Sequence, residues 1–107
     1  MSKYMIKASY STDGIKGVMA KGGTARKLAI EKLVTGVGGT MESLYFAFGG
    51  DDIYIIVDAP SHEVMAAVAG TVTSTGAVSD YQTTVLLTAE QLDAAADMSV
   101  DYRPPGG

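Results

Sequence analysis

The sequence predicts a single α+β domain, an antiparallel sheet with helices laid on one face, and three observations carry that reading. Its apolar periodicity switches between the strand period and the helix period roughly six times along the chain. Its 107 residues suit one domain and fall short of two. At 47% hydrophobic and 19% charged it builds a core, and no internal repeat, charge run or low-complexity linker divides it.

The elements follow in order. Tyr4, Ile6, Ala8 and Tyr10 alternate with Met5, Lys7 and Ser9, which predicts a first strand over Lys3–Tyr10. Ser11, Thr12 and Asp13 offer N-cap oxygens to a short helical turn around Ile15, Val18 and Met19. Gly22 and Gly23 interrupt it, and Thr24 is placed to cap a longer helix. In that helix Ile30, Leu33, Val34 and Val37 form one stripe expected to be buried, and Gly38 and Gly39 end it.

A hairpin comes next. Thr40–Phe48 reads as a strand with Leu44, Phe46 and Phe48 on one face and Met41, Tyr45 and Ala47 on the other. Gly49, Gly50, Asp51 and Asp52 form the turn, because glycine and aspartate tolerate its backbone angles. Ile53–Ala59 is the most apolar strand, with Ile55 and Val57 opposite in facing to Tyr54 and Ile56. Pro60 stops it, and Ser61 caps a helix whose stripe runs through Val64 or Met65, Val68 and Val72 until Gly76. Val78–Leu87 alternates as a fourth strand. Thr88 and Gln91 then make a capping-box pattern for a last helix with Leu92, Ala95 and Ala96 inward. The prolines at 104 and 105 leave residues 100–107 as an extended tail. A βαββαβ order with right-handed crossovers and a central hairpin gives a ferredoxin-like sheet in strand order 4-1-3-2, with an extra C-terminal helix.

Composition excludes much chemistry. With no cysteine, the chain has no disulfide, thiolate metal site or thiol nucleophile. Its one histidine, His62, cannot build a multi-histidine metal site, and no metal or cofactor is expected. No stretch reaches the roughly 20 apolar residues of a membrane span, and the first residues lack a signal pattern. A soluble cytoplasmic protein, with no membrane partner, is the expectation.

The net charge of −4 argues against a nucleic-acid partner. It hides an asymmetry. Lys3, Lys7, Lys16, Lys21, Arg26, Lys27 and Lys32 precede residue 40 with only Asp13 and Glu31, whereas Arg103 is the only basic residue after it. Such a pattern attracts a small anion, solvates a helix face, or complements itself across a contact between copies.

Strands two and three carry apolar residues in both alternating sets, so a sheet with one bare face leaves a patch too large for a monomer. The simplest cover is the same face of a second copy, at about 800 Å² per partner. The alternative is the C-terminal helix folded over that face, and the helix or tail of one chain rimming the other's sheet combines the two.

The runs Tyr4-Met5-Ile6-Lys7-Ala8-Ser9-Tyr10, Gly22-Gly23-Thr24-Ala25-Arg26, Gly38-Gly39, Tyr45-Phe46-Ala47-Phe48-Gly49 and Tyr102-Arg103-Pro104-Pro105-Gly106 occur in one order. In them the chain resembles the GYD-domain family of small bacterial proteins, itself similar to the dimeric α/β-barrel superfamily. At Gly50-Asp51-Asp52, Asp51 stands where the family's name motif has tyrosine. The resemblance implies a two-chain barrel of facing sheets. It also implies a space between helices and sheet, which that superfamily uses in cofactor-independent monooxygenases, haem-handling enzymes and cyclases.

Five residues are the candidate ligand contacts: Tyr10 and Tyr45 near strand ends, Arg26 beside the Gly22-Gly23-Thr24 helix start, Asp58 and Arg103. A tyrosine donates a hydrogen bond from an apolar wall, and a helix start with arginine seats an anion. Asp58 is a base if buried, and Arg103 is expected to pin the tail through a carboxylate. Asp51 and Asp52 read as turn formers, and no catalytic residue is assigned. The leading expectation is a dimeric domain holding a small apolar or aromatic molecule. An oxygenase- or cyclase-like enzyme using Tyr10, Tyr45 or Asp58 is the alternative, and an assembly protein without a pocket is the third.

Overall fold

The computed structural model describes residues 1–107. Its elements are β1 (Ser2–Tyr10), α1 (Thr12–Lys21), α2 (Gly23–Gly36), β2 (Thr40–Phe46), β3 (Ile53–Ala59), α3 (His62–Ser74), β4 (Val78–Leu86) and α4 (Ala89–Ala96). One antiparallel sheet runs β2-β3-β1-β4, the expected ferredoxin-like order, with β1 and β3 central. No helix is long and apolar enough to cross a membrane.

The side of the sheet that the helices cover holds the core. Tyr4, Ile6 and Ala8 of β1 and Ile53, Ile55, Val57 and Ala59 of β3 are buried there against Ile30 and Val34 of α2 and Met65 of α3. Alternation leaves Lys3, Met5, Lys7, Tyr54, Ile56 and Asp58 on the opposite, open side.

Local differences from the expectation have physical causes. The short turn after β1 is a ten-residue helix, α1, capped by Ser11 Oγ, which accepts from Gly14 N at 3.1 Å. Thr24 caps nothing: α2 starts at Gly23, with Gly22 at φ 88° before it. Leu33 and Val37 are more than a third exposed, so the buried stripe of α2 narrows to Ile30 and Val34.

In β2 the register shifts between Met41 and Ser43, and Glu42 is the extra residue of a bulge. The bulge returns Met41 to the covered face with Leu44 and Phe46, where unbroken alternation had put it opposite them. Beyond Phe46 the strand ends, and Phe48 is fully exposed in the turn. The acidic turn is tied to β1: Asp52 N donates to Ala8 O (2.9 Å), Asp52 Oδ2 accepts from Tyr10 N (2.8 Å), and Asp51 Oδ1 accepts from Ser9 Oγ (3.2 Å).

The last helix departs most. Thr88 and Gln91 form both bonds of the capping box. Yet Leu92 and the alanines face no core, for α4 buries no residue and everything from Leu87 to Gly107 is exposed. Arg103 pairs with no carboxylate; the tail instead closes on itself through Gly107 N and Pro104 O at 3.0 Å.

Candidate functional site

The two helices after β1 make the largest cavity. α1 and α2 meet at Gly22 and enclose a cleft of about 510 Å³, floored by Tyr10 and by Ala77 ahead of β4. Small residues open it, namely Gly14 and Gly17 from α1 and Ala25 and Ala29 from α2. Gly14 is there because a Cβ would stand 1.9 Å from Ala77 O, so α1 lies on that backbone only with glycine at this position. Lys21 and Arg26 bring positive charge to the cleft, against Asp13 alone. The first turn of α2 adds N–H groups that no side chain caps.

A narrow apolar crevice of about 50 Å³ adjoins it between the helices and the sheet. Tyr10 and Arg26 line both spaces, and Tyr81 of β4 lines the crevice opposite Ala8, whose small side chain leaves room for it. Two side-chain polar atoms in the molecule are buried without a protein partner, Arg26 Nε and the Tyr81 hydroxyl, and both belong to residues of this crevice. A buried polar group without a partner costs about 1–3 kcal/mol. Burial pushes the Tyr81 phenol above its ordinary value; the nearby Thr83 side chain offsets part of that rise, although it forms no well-directed hydrogen bond with the hydroxyl.

The candidates from sequence therefore divide. Tyr10 and Arg26 come together in one wall. Tyr45 lies on the open side across from Tyr54, 72% exposed. Asp58 is on that side too and is no buried base: its carboxylate is 35% exposed and 3.2 Å from Lys3 Nζ, which also holds Glu42 at 2.8 Å. Arg103 sits on the exposed tail. Tyr10, Tyr45 and Asp58 thus do not converge within one copy. The sequence offers Tyr81 as one of six tyrosines able to reach a ligand but puts Tyr10 and Tyr45 ahead of it, and it singles out Lys21 only as part of the basic N-terminal half. The parity of Tyr81 with Thr83 and Val85 was the available signal for its inward face.

His62 stands apart, in a third cavity of about 240 Å³ that shares no lining residue with the other two. Its Nδ1 is 2.7 Å from the hydroxyl of Tyr4, with the rings edge to face at 5.6 Å. That bond satisfies a phenol that is otherwise fully buried, and gives His62 a structural task.

No curated protein matches the sequence. Among solved structures, the chain is similar to MtbAldR, with a TM-score of 0.59 and 15% identity over 81% of this chain and 53% of that one. It therefore spans about half of MtbAldR's length. It is also similar to FFRP-DM1, with a TM-score of 0.56 and 12% identity over 81% of this chain and all of the other. At such identities the likeness is one of fold. The GYD domain model matches residues 4–96, and the chain belongs to the GYD-domain family.

Proposed function

We propose that this domain binds a small molecule with an anionic head and an apolar or aromatic body in the α1–α2 cleft. The head, a carboxylate for preference, sits on Arg26 and Lys21 at the uncapped start of α2, and the body lies along Gly14, Gly17 and Tyr10. The observation that supports this is the coincidence of the two unpartnered polar atoms, Arg26 Nε and Tyr81 Oη, at the crevice adjoining the cleft. A guanidinium matches a carboxylate in geometry as well as charge. The cleft also falls in the volume range of ordinary ligand sites, about 300–1,000 Å³.

The functional unit is a dimer through the open side of the sheet. Met5, Ile56, Tyr54 and Tyr45 give that side an apolar centre. It is bounded by the Lys3–Glu42–Asp58 cluster at one end and the 4.0 Å Lys7–Asp51 contact at the other. This face is more mixed than the sequence implied, because β4 adds Asp80, Gln82 and Thr84 to it. Binding rather than turnover is the favoured activity, since the polar groups at the cleft and crevice include donors but no histidine.

Titration of the labelled protein with benzoate, indole-3-acetate and their neutral amides, followed by amide NMR, tests the reading. The acids should shift Tyr10, Arg26 and Ala77, the amides should bind at least tenfold more weakly, and Arg26→Gln should erase the difference. Equal binding of acid and amide defeats the anionic head; no shift at those residues with any compound defeats the site.

A further inference from the structure

We infer that the C-terminal arm, Leu87–Tyr102, docks on the outer α1–α2 surface of a second copy of this chain. The arm has apolar residues with nowhere to go on its own body: Leu87, Leu92, Met98, Val100 and Tyr102 are between 60% and 81% exposed. Its helix is nonetheless fully formed at the start, with both capping-box bonds made. Eight helical residues alone in water are marginal, so such a helix is a docking element waiting for a surface. The molecule with its exposed arm extends 55 Å in one direction and has a radius of gyration of 16.9 Å, against about 13 Å for a compact chain of this size.

Charge selects the surface. The arm carries Glu90, Asp93, Asp97 and Asp101 and no basic residue, Arg103 following just beyond it, and none of these five has an ion pair. The open sheet side repels it, because both lysines there are already held by Glu42, Asp58 and Asp51. On α1 and α2, by contrast, Lys16, Lys21, Lys27 and Lys32 are all unpaired, and Met19 and Leu28 lie among them 77% and 60% exposed. An acidic, apolar arm thus meets a basic surface with exposed apolar side chains. The arm's sixteen residues come near the roughly 20–30 that each side of an ordinary interface supplies. Length is sufficient as well: about 12 Å of helix and about 20 Å of extended chain after it exceed the roughly 10 Å between stacked sheets plus about 10 Å across the second copy's helical layer. Lys21 also borders the cleft, so the arm and the cleft's ligand share that one lysine, whereas Lys16, Lys27 and Lys32 line no part of it.

The chain has no cysteine of its own, so disulfide trapping in the full-length protein tests the contact. Leu28→Cys protein mixed with Val100→Cys protein should give a disulfide-linked pair within minutes of mild oxidation, and Tyr54→Cys with Val100→Cys should not. A link to Tyr54→Cys, or a loop closing only within one chain when Leu28→Cys and Val100→Cys are combined, overturns the proposal. As a second measurement, Lys27→Glu with Lys32→Glu should lower hydrogen-exchange protection of the α4 amides at least tenfold. Asp93→Lys with Asp97→Lys in the same chain should restore it. Amides of α4 that exchange like free peptide in the unmodified protein also overturn it.

Discussion

The two sides of the sheet treat polar groups in opposite ways. On the open side both lysines have partners: Lys3 lies between Glu42 and Asp58, and Lys7 faces Asp51, while Asp80 only accepts from Gln82 Nε2 at 3.4 Å. The covered side is nearly all hydrocarbon, yet it holds the two buried polar atoms that lack one. Satisfied charges on an apolar face fix how another surface settles on it, whereas unsatisfied groups at a cavity wait for something to enter. The contrast separates a face whose lysines are already paired from one whose buried donors are not.

Neighbouring residues of β3 break or sustain that contrast most directly. Ile55 is buried among β1, β2 and α2, while Ile56 faces the open side between Met5 and Ser43. Ile55→Glu puts an unpaired carboxylate in the core and should cost roughly 4 kcal/mol or more, seen as loss of the cooperative urea transition. Ile56→Glu should leave the monomer folded while light scattering at micromolar concentration shows half the mass of the parent protein. If both variants unfold alike, the open side is not a separate surface.

Two glycines of α1 separate fold from cleft in the same way. Gly14→Ala drives a methyl into Ala77 O and should destabilise by about 3 kcal/mol. Gly17 has nothing within 4 Å of its missing Cβ. Gly17→Ala should therefore raise helix stability by about 0.5–1 kcal/mol while the added methyl narrows the cleft and weakens carboxylate binding. Thermal melts with and without benzoate read both effects.

The sequence made the framework legible because period-two and helical patterns report which face is buried, and β1 and β3 alternate without a break. It hid the facing of Met41, because an extra residue at Glu42 resets parity and nothing in the local composition marks a bulge. It also put Leu92, Ala95 and Ala96 of α4 inward, whereas that helix buries no residue of its own chain, because an apolar stripe does not say what surface it meets. Of the site, Tyr10 and Arg26 were readable from strand-end and helix-start positions. Their meeting with Tyr81 was not, since it depends on the β1–β4 register that puts Tyr81 opposite Ala8.

Removing the unpaired hydroxyl sharpens the contrast at smaller scale. Tyr81→Phe should stabilise the free protein by about 1 kcal/mol and bind carboxylates less tightly, so stability and affinity move in opposite directions. The phenol also leaves a pH signature. Its folded-state value lies above the ordinary 10.0, so the folded chain keeps a proton that the unfolded chain loses first. Stability is unaffected below about pH 10 and falls as pH rises from there through the folded value. Urea titrations across that range should show the fall in the parent protein and a shallower one in Tyr81→Phe.

The smallest effect comes from Lys3 and falls in the same alkaline window, so it has to be told apart. The Glu42 hydrogen bond, then that of Asp58, raises the Lys3 amine above its ordinary 10.5. The stability it lends is therefore complete below pH 10.5 and disappears as pH climbs through the raised value. Salt separates the two residues. The Lys3 cluster lies at the water-facing edge of the sheet, where mobile ions screen it within about 10 Å at 0.1 M, whereas the Tyr81 shift arises from burial. Raising sodium chloride to about 1 M should flatten the part of the alkaline fall that Lys3→Met removes and leave the part that Tyr81→Phe removes. If salt erases both, the Tyr81 hydroxyl is open to water, and the distinction between an open side with paired charges and a covered side with waiting donors fails at that residue.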